Sequence, residues 1–205
     1  MTLSRVIGVT GNSGSGKSLV SSLIVGYAKE RGVTAVILDA DKIAHGVLLK
    51  NSPAYPEVVG LFGDKILDAD GEINRKKIAE IVFSNKEMLA KHTAITHKYI
   101  AKLMTDRLNE LKKEYEIVVM DVPLLIEANL HRECDYVWLL SSEYDTKVTR
   151  IISRDNLSYE QAKARISSQN TQAALSAYAD FILENNGNIR ELLVLVTDEL
   201  HRILN

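Results

Sequence analysis

A single cysteine, Cys134, stands among 205 residues, so no disulfide can close within the chain and the composition suits a reducing compartment. Charge of neither sign dominates: 25 Lys and Arg face 27 Asp and Glu, for a net charge of −2. That near balance excludes the broad basic field by which proteins hold nucleic acid, and leaves room for a small anion held by a few local cations. Long apolar runs are missing as well. The opening MTLSRVIGVT reaches glycine after only a few apolar residues, too few for a secretory signal or a membrane span. The expectation is a cytoplasmic protein with small-molecule partners, no membrane and no nucleic acid. No internal repeat or low-complexity tract occurs. No Cys/His grouping has zinc-ligand spacing, and no Ser-His-Asp set stands out. Nothing in the composition speaks to oligomeric state.

What is present is an ordinary globular composition, 46 % apolar and 25 % charged, in a chain long enough for one sizeable core. RVIGVT (Arg5 to Thr10), AVILDA (Ala35 to Ala40), EIVVMD (Glu116 to Asp121) and YVWLLS (Tyr136 to Ser141) read as strands, with DFIL (Asp180 to Leu183) a weaker fifth. Uninterrupted apolar runs of this kind belong to strands buried on both faces of a parallel sheet. Helical periodicity separates most of them. SLVSSLIVGYAKERG ends on a helix-stopping glycine, and NIRE near the C-terminus pairs a capping Asn188 with Glu191. The helix that follows NIRE is expected to show Leu192, Leu193, Val196, Leu200 and Ile203 on one face. The alternation predicts an open α/β sheet with right-handed crossovers. Between Asp41 and Tyr115 it breaks: the segment is almost wholly helical, and a helical insertion on such a sheet commonly builds a substrate site. Its long run EMLAKHTAITHKYIAKLMTDRLNELKK sets His92 on the apolar stripe, as a core histidine, and turns His97 about 200° away from Ile95.

The strongest local signal is GNSGSGKS. Gly11, Gly16, Lys17 and Ser18 match G-x-x-x-x-G-K-[ST], directly after an apolar strand and before an amphipathic segment. The glycines let the backbone curl so that successive N–H groups point inward around an anion, and the helix starting near Lys17 adds its positive end. Lys17 suits the β- and γ-phosphates of a nucleoside triphosphate, and the Ser18 hydroxyl suits Mg²⁺. The loop alone does not say what becomes of the γ-phosphate.

Other strand ends carry carboxylates. LDAD places Asp39 and Asp41 where the second strand turns into a helix, and VVMD ends on Asp121, the position that supports Mg²⁺ in phosphate-loop folds. Asp41 suits a helix N-cap, and equally a base for an acceptor hydroxyl. After the fourth strand, Lys147, Arg150 and Arg154 share a helical face, and SYEQ opens a further helix with a capping box. Arginines on a mobile helical pair suit a lid over transferring phosphate; the alternative is a solvated face paired with Asp145, Asp155 and Glu160.

Taken in order along the chain, TGNSGSGKS, DADKIAHGV, DGEINRKKIAEIVFSN, ITHKYI, DVPLLIE, RIISRDNLSYEQAKARISSQ and ADFILENNGN resemble the dephospho-CoA kinase family. The resemblance spans almost the whole chain. It implies a P-loop kinase fold: an open parallel five-stranded sheet flanked by helices, with a helical substrate-binding insertion and a lid. The corresponding division is 1–41, 116–142 and 179–205 as nucleotide-binding core, 42–115 as acceptor domain and 143–178 as lid. The implied reaction is ATP-dependent phosphorylation of the ribose 3′-hydroxyl of dephospho-CoA, with ATP and Mg²⁺. By resemblance Asp41, Lys17 and Arg150 look catalytic. Gly11 to Leu19, Arg154, Asn186 and Gly187 look like the nucleotide site, with Asn185 in the same loop. Asp41, His45, Arg75, His97, Pro123, Leu124 and Glu127 look like the acceptor site, and Ser18 and Asp121 look like metal ligands. The chain departs from the family's usual pattern at Asn12, Leu19, His45 and Lys98 and in NTQAALSAYAD. Asparagine tolerates a left-handed backbone, so Asn12 is expected to let the loop close where a glycine is usual. Two other readings stay open: a nucleoside or nucleoside monophosphate kinase, which shares core and lid, and a nucleotide-binding sensor. The sensor lacks a base-reading N-K-x-D motif here.

Overall fold

The computed structural model describes residues 4–204. Five strands, β1 (Arg5–Gly11), β2 (Ala35–Asp39), β3 (Ile117–Asp121), β4 (Tyr136–Ser141) and β5 (Phe181–Glu184), form one open parallel sheet in the order β2-β3-β1-β4-β5. All five expected strands are present, within a residue of the runs that announced them. β1 lies at the centre, with Val9 opposite Asp121 of β3 and Trp138 of β4. Its carboxyl end therefore opens between two neighbours that also end there, the place where open α/β sheets bind ligands.

Alternation along the strands fills the core. Ile7 and Val9, Ile117 and Val119, and Trp138 and Leu140 share one face of the sheet. Against it pack Val20, Ile24 and Ala28 of α1 (Lys17–Glu30) and Leu192, Val196, Leu200 and Ile203 of α9 (Ile189–Leu204). Leu193 departs from the expected stripe. One residue on from Leu192, it is rotated by about 100° and stays 41 % exposed, so the α9 face is narrower than the run of leucines suggests. At the start of α9, the Asn188 and Glu191 side chains each accept from the other's backbone N–H, the expected reciprocal cap.

The chain divides into two compact units, Met1–Leu38 with Leu108–Asn205, and Asp39–Arg107. The second is helical: α2 (Ala40–Val47), α3 (Tyr55–Phe62), α4 (Arg75–Phe83) and most of α5 (Lys86–Leu111). Its core is Val58, Phe62, Ile66 and Ile78, joined by partly buried Leu48, Ile73, Met88 and Ile95. Asn74 starts α4 by accepting from the N–H groups of Lys76 and Lys77, while its own amide donates to Asp68 at 2.8 Å. His92 lies on the inner side of α5, edge-on to Phe62 with ring centroids 5.5 Å apart. It is not the satisfied core histidine expected, because its Nδ1 is buried with no hydrogen-bond partner among the described residues.

Helices α6 (Tyr144–Asp155), α7 (Tyr159–Ser167) and α8 (Gln172–Ser176) belong to the first unit. Val148, Ile151, Ala162 and Ile166 form a small core between α6 and α7, and Ser158 with Gln161 makes the expected capping box. Asn156 turns the corner between them with φ +53°, a left-handed position that asparagine adopts more readily than most residues.

Candidate active site

Residues Gly11 to Ser18 form the connection between β1 and α1, and the reason for glycine is geometric at two positions. Gly14 has φ +80° and Gly16 φ +96°. A Cβ at Gly14 would lie 2.6 Å from the Lys147 carbonyl oxygen, and one at Gly16 would collide with Asn185 Nδ2. The loop is thus pressed on one side against α6 and on the other against the segment after β5. Side chains would not fit at either contact.

Asn185, Ser142 and Arg150 hold that arrangement. Asn185 is 4 % exposed, and its Nδ2 donates to the Ser15 carbonyl at 2.8 Å. Ser142, after β4, donates its hydroxyl to the Asn185 carbonyl at 2.8 Å. The Arg150 guanidinium reaches from α6 to Ser142 Oγ at 3.2 Å, to the Gly14 carbonyl at 3.2 Å and to Asn185 Oδ1 at 3.3 Å. Arg150 is therefore not part of a solvated face: it acts as a brace for the loop. A cleft of about 450 Å³ between the loop and α6 is lined by Gly14, Gly16, Thr149, Arg150, Ser153 and Arg154.

Arg154 faces the same cleft but is exposed. Its guanidinium grips the Asp155 carboxylate with two bonds of 2.8 Å, and Arg165 of α7 donates to that carboxylate at 2.6 Å. These bonds, the Arg154 one foremost, hold the Asp155 carboxyl below its ordinary pKa. In this structure the ion-paired alternative describes Arg154 and not Arg150. The pair links α6 to α7 on the surface, where each bridge adds little stability.

Lys17 folds back across the loop, its Nζ donating to the carbonyls of Gly11 at 2.8 Å and Asn12 at 3.2 Å. Ser18 and Leu19 are exposed in the first turn of α1. Asp121, 8 % exposed, ends β3 beside the strand that enters the loop. Asn186 accepts from the Glu143 N–H at 2.7 Å and so caps α6, while Gly187 is exposed at the start of α9. Thr10 Oγ1 donates to the Pro123 carbonyl at 3.3 Å; Leu124 and Glu127 are exposed on the segment that follows β3.

Asn12 behaves otherwise than expected. It is absent from the positive-φ positions, so its backbone is not left-handed. Its buried side chain donates to the Asn170 carbonyl at 3.3 Å, tying the loop to the turn after α7. Beside it, the Ser13 N–H donates to Gln169 Oε1 at 2.8 Å, and Asn170 Nδ2 donates to Glu127 at 2.7 Å. Sequence reasoning missed Gln169, Asn170 and Ser142. The one signal in the sequence was the amide pair that follows the α7 pattern.

Asp41, His45, Arg75 and His97 belong to the second unit. The N-cap of α2 is Asp39, which accepts from the Asp41 N–H at 2.9 Å and the Lys42 N–H at 3.3 Å. Asp41 is relieved of capping, and its carboxylate is exposed in the first turn. Arg75 donates to the carbonyls of His45 at 2.7 Å and Ala44 at 3.4 Å, closing the last turn of α2, where cations are favoured. A cleft of about 490 Å³ has His45, Asp68, Asn74, Arg75 and Lys76 in its wall. His97, half-buried on α5, does not line it.

The family model for dephospho-CoA kinase matches residues 5–191. A dephospho-CoA kinase of Fusobacterium nucleatum is 40 % identical over 187 residues, covering 91 % of this chain and 92 % of the relative. One from Streptococcus mutans is 32 % identical, covering 99 % and 100 %. The solved dephospho-CoA kinase of Campylobacter jejuni superposes with a TM-score of 0.67 at 28 % identity, covering 97 % of this chain and 96 % of that one.

Proposed function

This chain belongs to the dephospho-CoA kinase family, and on that premise we propose that it transfers the γ-phosphate of ATP to the ribose 3′-hydroxyl of dephospho-CoA. The observation that carries the proposal is the braced phosphate loop with Arg150 across it, in a chain that matches the family model over residues 5–191. Phosphoryl transfer needs little covalent help from a protein; it needs positioning and neutralised charge. The loop N–H groups and the α1 terminus receive the β-phosphate. Lys17 exchanges two backbone carbonyls for phosphate oxygens, a stronger charge-assisted contact. Arg150 and Arg154 line the cleft beside the loop, where they offset charge that builds on the equatorial oxygens.

Asp41, free of the capping duty that Asp39 performs, serves as base for the acceptor hydroxyl. His45, Arg75, His97, Pro123, Leu124 and Glu127 serve the acceptor, and Asn186 and Gly187 border the adenine end. The division into core, acceptor domain (42–115) and lid (143–178) goes with this assignment, as does a cytoplasmic location.

Magnesium fits the donors present. No group of three or more His, Cys, Asp or Glu among the described residues could form a metal cage. Mg²⁺ usually takes one or two protein oxygens and completes its shell with phosphate and water. The exposed Ser18 hydroxyl at the loop's end and the Asp121 carboxylate, both oxygen donors, would hold it. When bound it neutralises charge on the β- and γ-phosphates.

The test is to incubate the protein with Mg-ATP and dephospho-CoA, in parallel with adenosine, uridine and nucleoside monophosphates, and to chromatograph the products. CoA formed from dephospho-CoA alone is expected. Transfer to a nucleoside or to its monophosphate, or hydrolysis with no acceptor used, would overturn the assignment.

A further inference from the structure

We propose that Gln169 is a further phosphate-binding residue of the nucleotide site: it holds the mouth of the phosphate loop through Oε1 and donates from Nε2 to the terminal phosphate of ATP. The proposal deepens the reading above and rests on the Gly11–Ser18 loop being the triphosphate site. Its starting point is the 2.8 Å bond from the Ser13 N–H to Gln169 Oε1. A backbone N–H can only donate, so the atom facing it must be the amide oxygen; the other end of the amide is then a pair of donors. Those Nε2 hydrogens meet no hydrogen-bond acceptor among the described residues.

The carboxamide is held in place by its surroundings. Gln169 N–H closes the last turn of α7 on the Ile166 carbonyl at 3.2 Å, and the side chain is half-buried. Its neighbour Asn170 is fixed twice, by Asn12 Nδ2 on its carbonyl and by its own Nδ2 on Glu127. The turn is thus pinned to the loop at two successive residues, the second of which, Asn170, also ties it to the segment after β3. Such a pinned turn presents a rigid group.

The donor arithmetic favours a phosphate ligand. Gln169 occupies the Ser13 N–H and presents two N–H donors of its own, on a neutral group that adds no charge to be compensated. Arg150 attends the other side of the loop through the Gly14 carbonyl. A glutamate at 169 would accept from Ser13 just as well, and would place a negative oxygen where the donors now stand. Glutamine and glutamate at 169 therefore differ most towards an anion in front of the side chain.

Gln169→Glu separates the two ends of the side chain. Affinities for Mg-ADP and for a non-hydrolysable Mg-ATP analogue are measured by titration calorimetry on the full chain, with thermal unfolding as the check on folding. Q169E is expected to keep the melting temperature and to bind ADP within about threefold of the wild type, but to bind the ATP analogue about ten- to a hundredfold more weakly, the scale of a lost charged hydrogen bond. Equal binding of both nucleotides by Q169E and wild type overturns the proposal. An equal loss for both overturns it too, since it would mean that the residue only shapes the loop. Should Q169E fold poorly, Gln169→Met must still weaken the ATP analogue more than ADP. A wild-type protein that shows this nucleotide binding yet makes no CoA would instead overturn the acceptor assignment and leave the Gln169 result standing.

Discussion

Asn185 offers the sharpest test of how the phosphate loop is held, because resemblance and structure assign it different work. By resemblance it belongs to a loop beside adenine; in the structure its amide is a strut under the phosphates. The perturbation is Asn185→Ala. It removes the 2.8 Å bond from Nδ2 to the Ser15 carbonyl and the 3.3 Å bond from Arg150 to Oδ1, at a residue only 4 % exposed. The Ser142 hydroxyl cannot take over: its one proton is committed to the Asn185 carbonyl at 2.8 Å, and the Ser15 carbonyl is 3.5 Å away.

Leaving a buried carbonyl without its donor costs about 1–3 kcal/mol, and the longer Arg150 bond adds about 0.5–1 kcal/mol. Together they come to about 1.5–4 kcal/mol. In the free protein the loop can relax towards solvent and shed part of that cost; a bound triphosphate requires the loop closed, so the penalty falls mainly on binding. An affinity lower by about ten- to a hundredfold is expected, with the melting temperature down by a few degrees. The assay is titration calorimetry with ATP and, in parallel, with inorganic tripolyphosphate, which has no base. Both ligands should weaken together. If tripolyphosphate bound normally while ATP alone weakened, Asn185 would be an adenine contact and the strut argument would be refuted.

Other expectations concern separate parts of the molecule. Asp41→Asn should lower turnover by about two to four orders of magnitude while ATP affinity and stability stay unchanged, since Asp39 caps the helix; normal turnover would remove Asp41 from the chemistry. Burial holds the His92 ring below its ordinary pKa of 6.5, so the neutral ring is favoured in the fold. Its stabilising effect is complete above the unfolded value and is lost as pH falls through the folded one. The urea midpoint should therefore drop between pH 7 and pH 5, and drop less in His92→Leu. Glu57, Asp68 and Glu87, whose carboxyls are lowered by hydrogen bonds from their neighbours, titrate below that window. The Cys134 thiol is pushed up to about 12 by burial and by nearby Asp135, Glu133 and Asp180. Native protein at pH 8 should react with a thiol reagent about a thousandfold more slowly than urea-unfolded protein; comparable rates would contradict the burial.

The parts of the fold that could be read from the sequence are those set by short-range rules. Within YVWLLS the four central residues, VWLL, are all apolar and read as a doubly covered strand, and β4 covers the same six residues with those four buried. GNSGSGKS was legible because its glycines answer a local steric demand. What was not legible depends on partners far along the chain. Gln169 reaches Ser13 across 156 residues, and Ser142 reaches Asn185 across 43, and no spacing rule connects them. Even a local reading failed where two residues competed for one role. Asp39 and Asp41 both suit an N-cap, and only the backbone geometry gives that position to Asp39.

Asn12 shows why such misses cluster at the site. Its expected value is backbone tolerance, a local property; its observed use is a side-chain bond to the Asn170 carbonyl. Where a glycine would leave the loop to its own nest of N–H groups, this asparagine adds a tether to the turn that carries Gln169. A loop anchored at Asn12, Ser13, Ser15 and Gly14 by residues 170, 169, 185 and 150 has little conformational freedom left to lose when it closes on phosphate. The tether and the strut then act in one direction. Loosening either should raise the entropic cost of nucleotide binding without altering which hydroxyl accepts the phosphate, because none of these anchors belongs to the second unit.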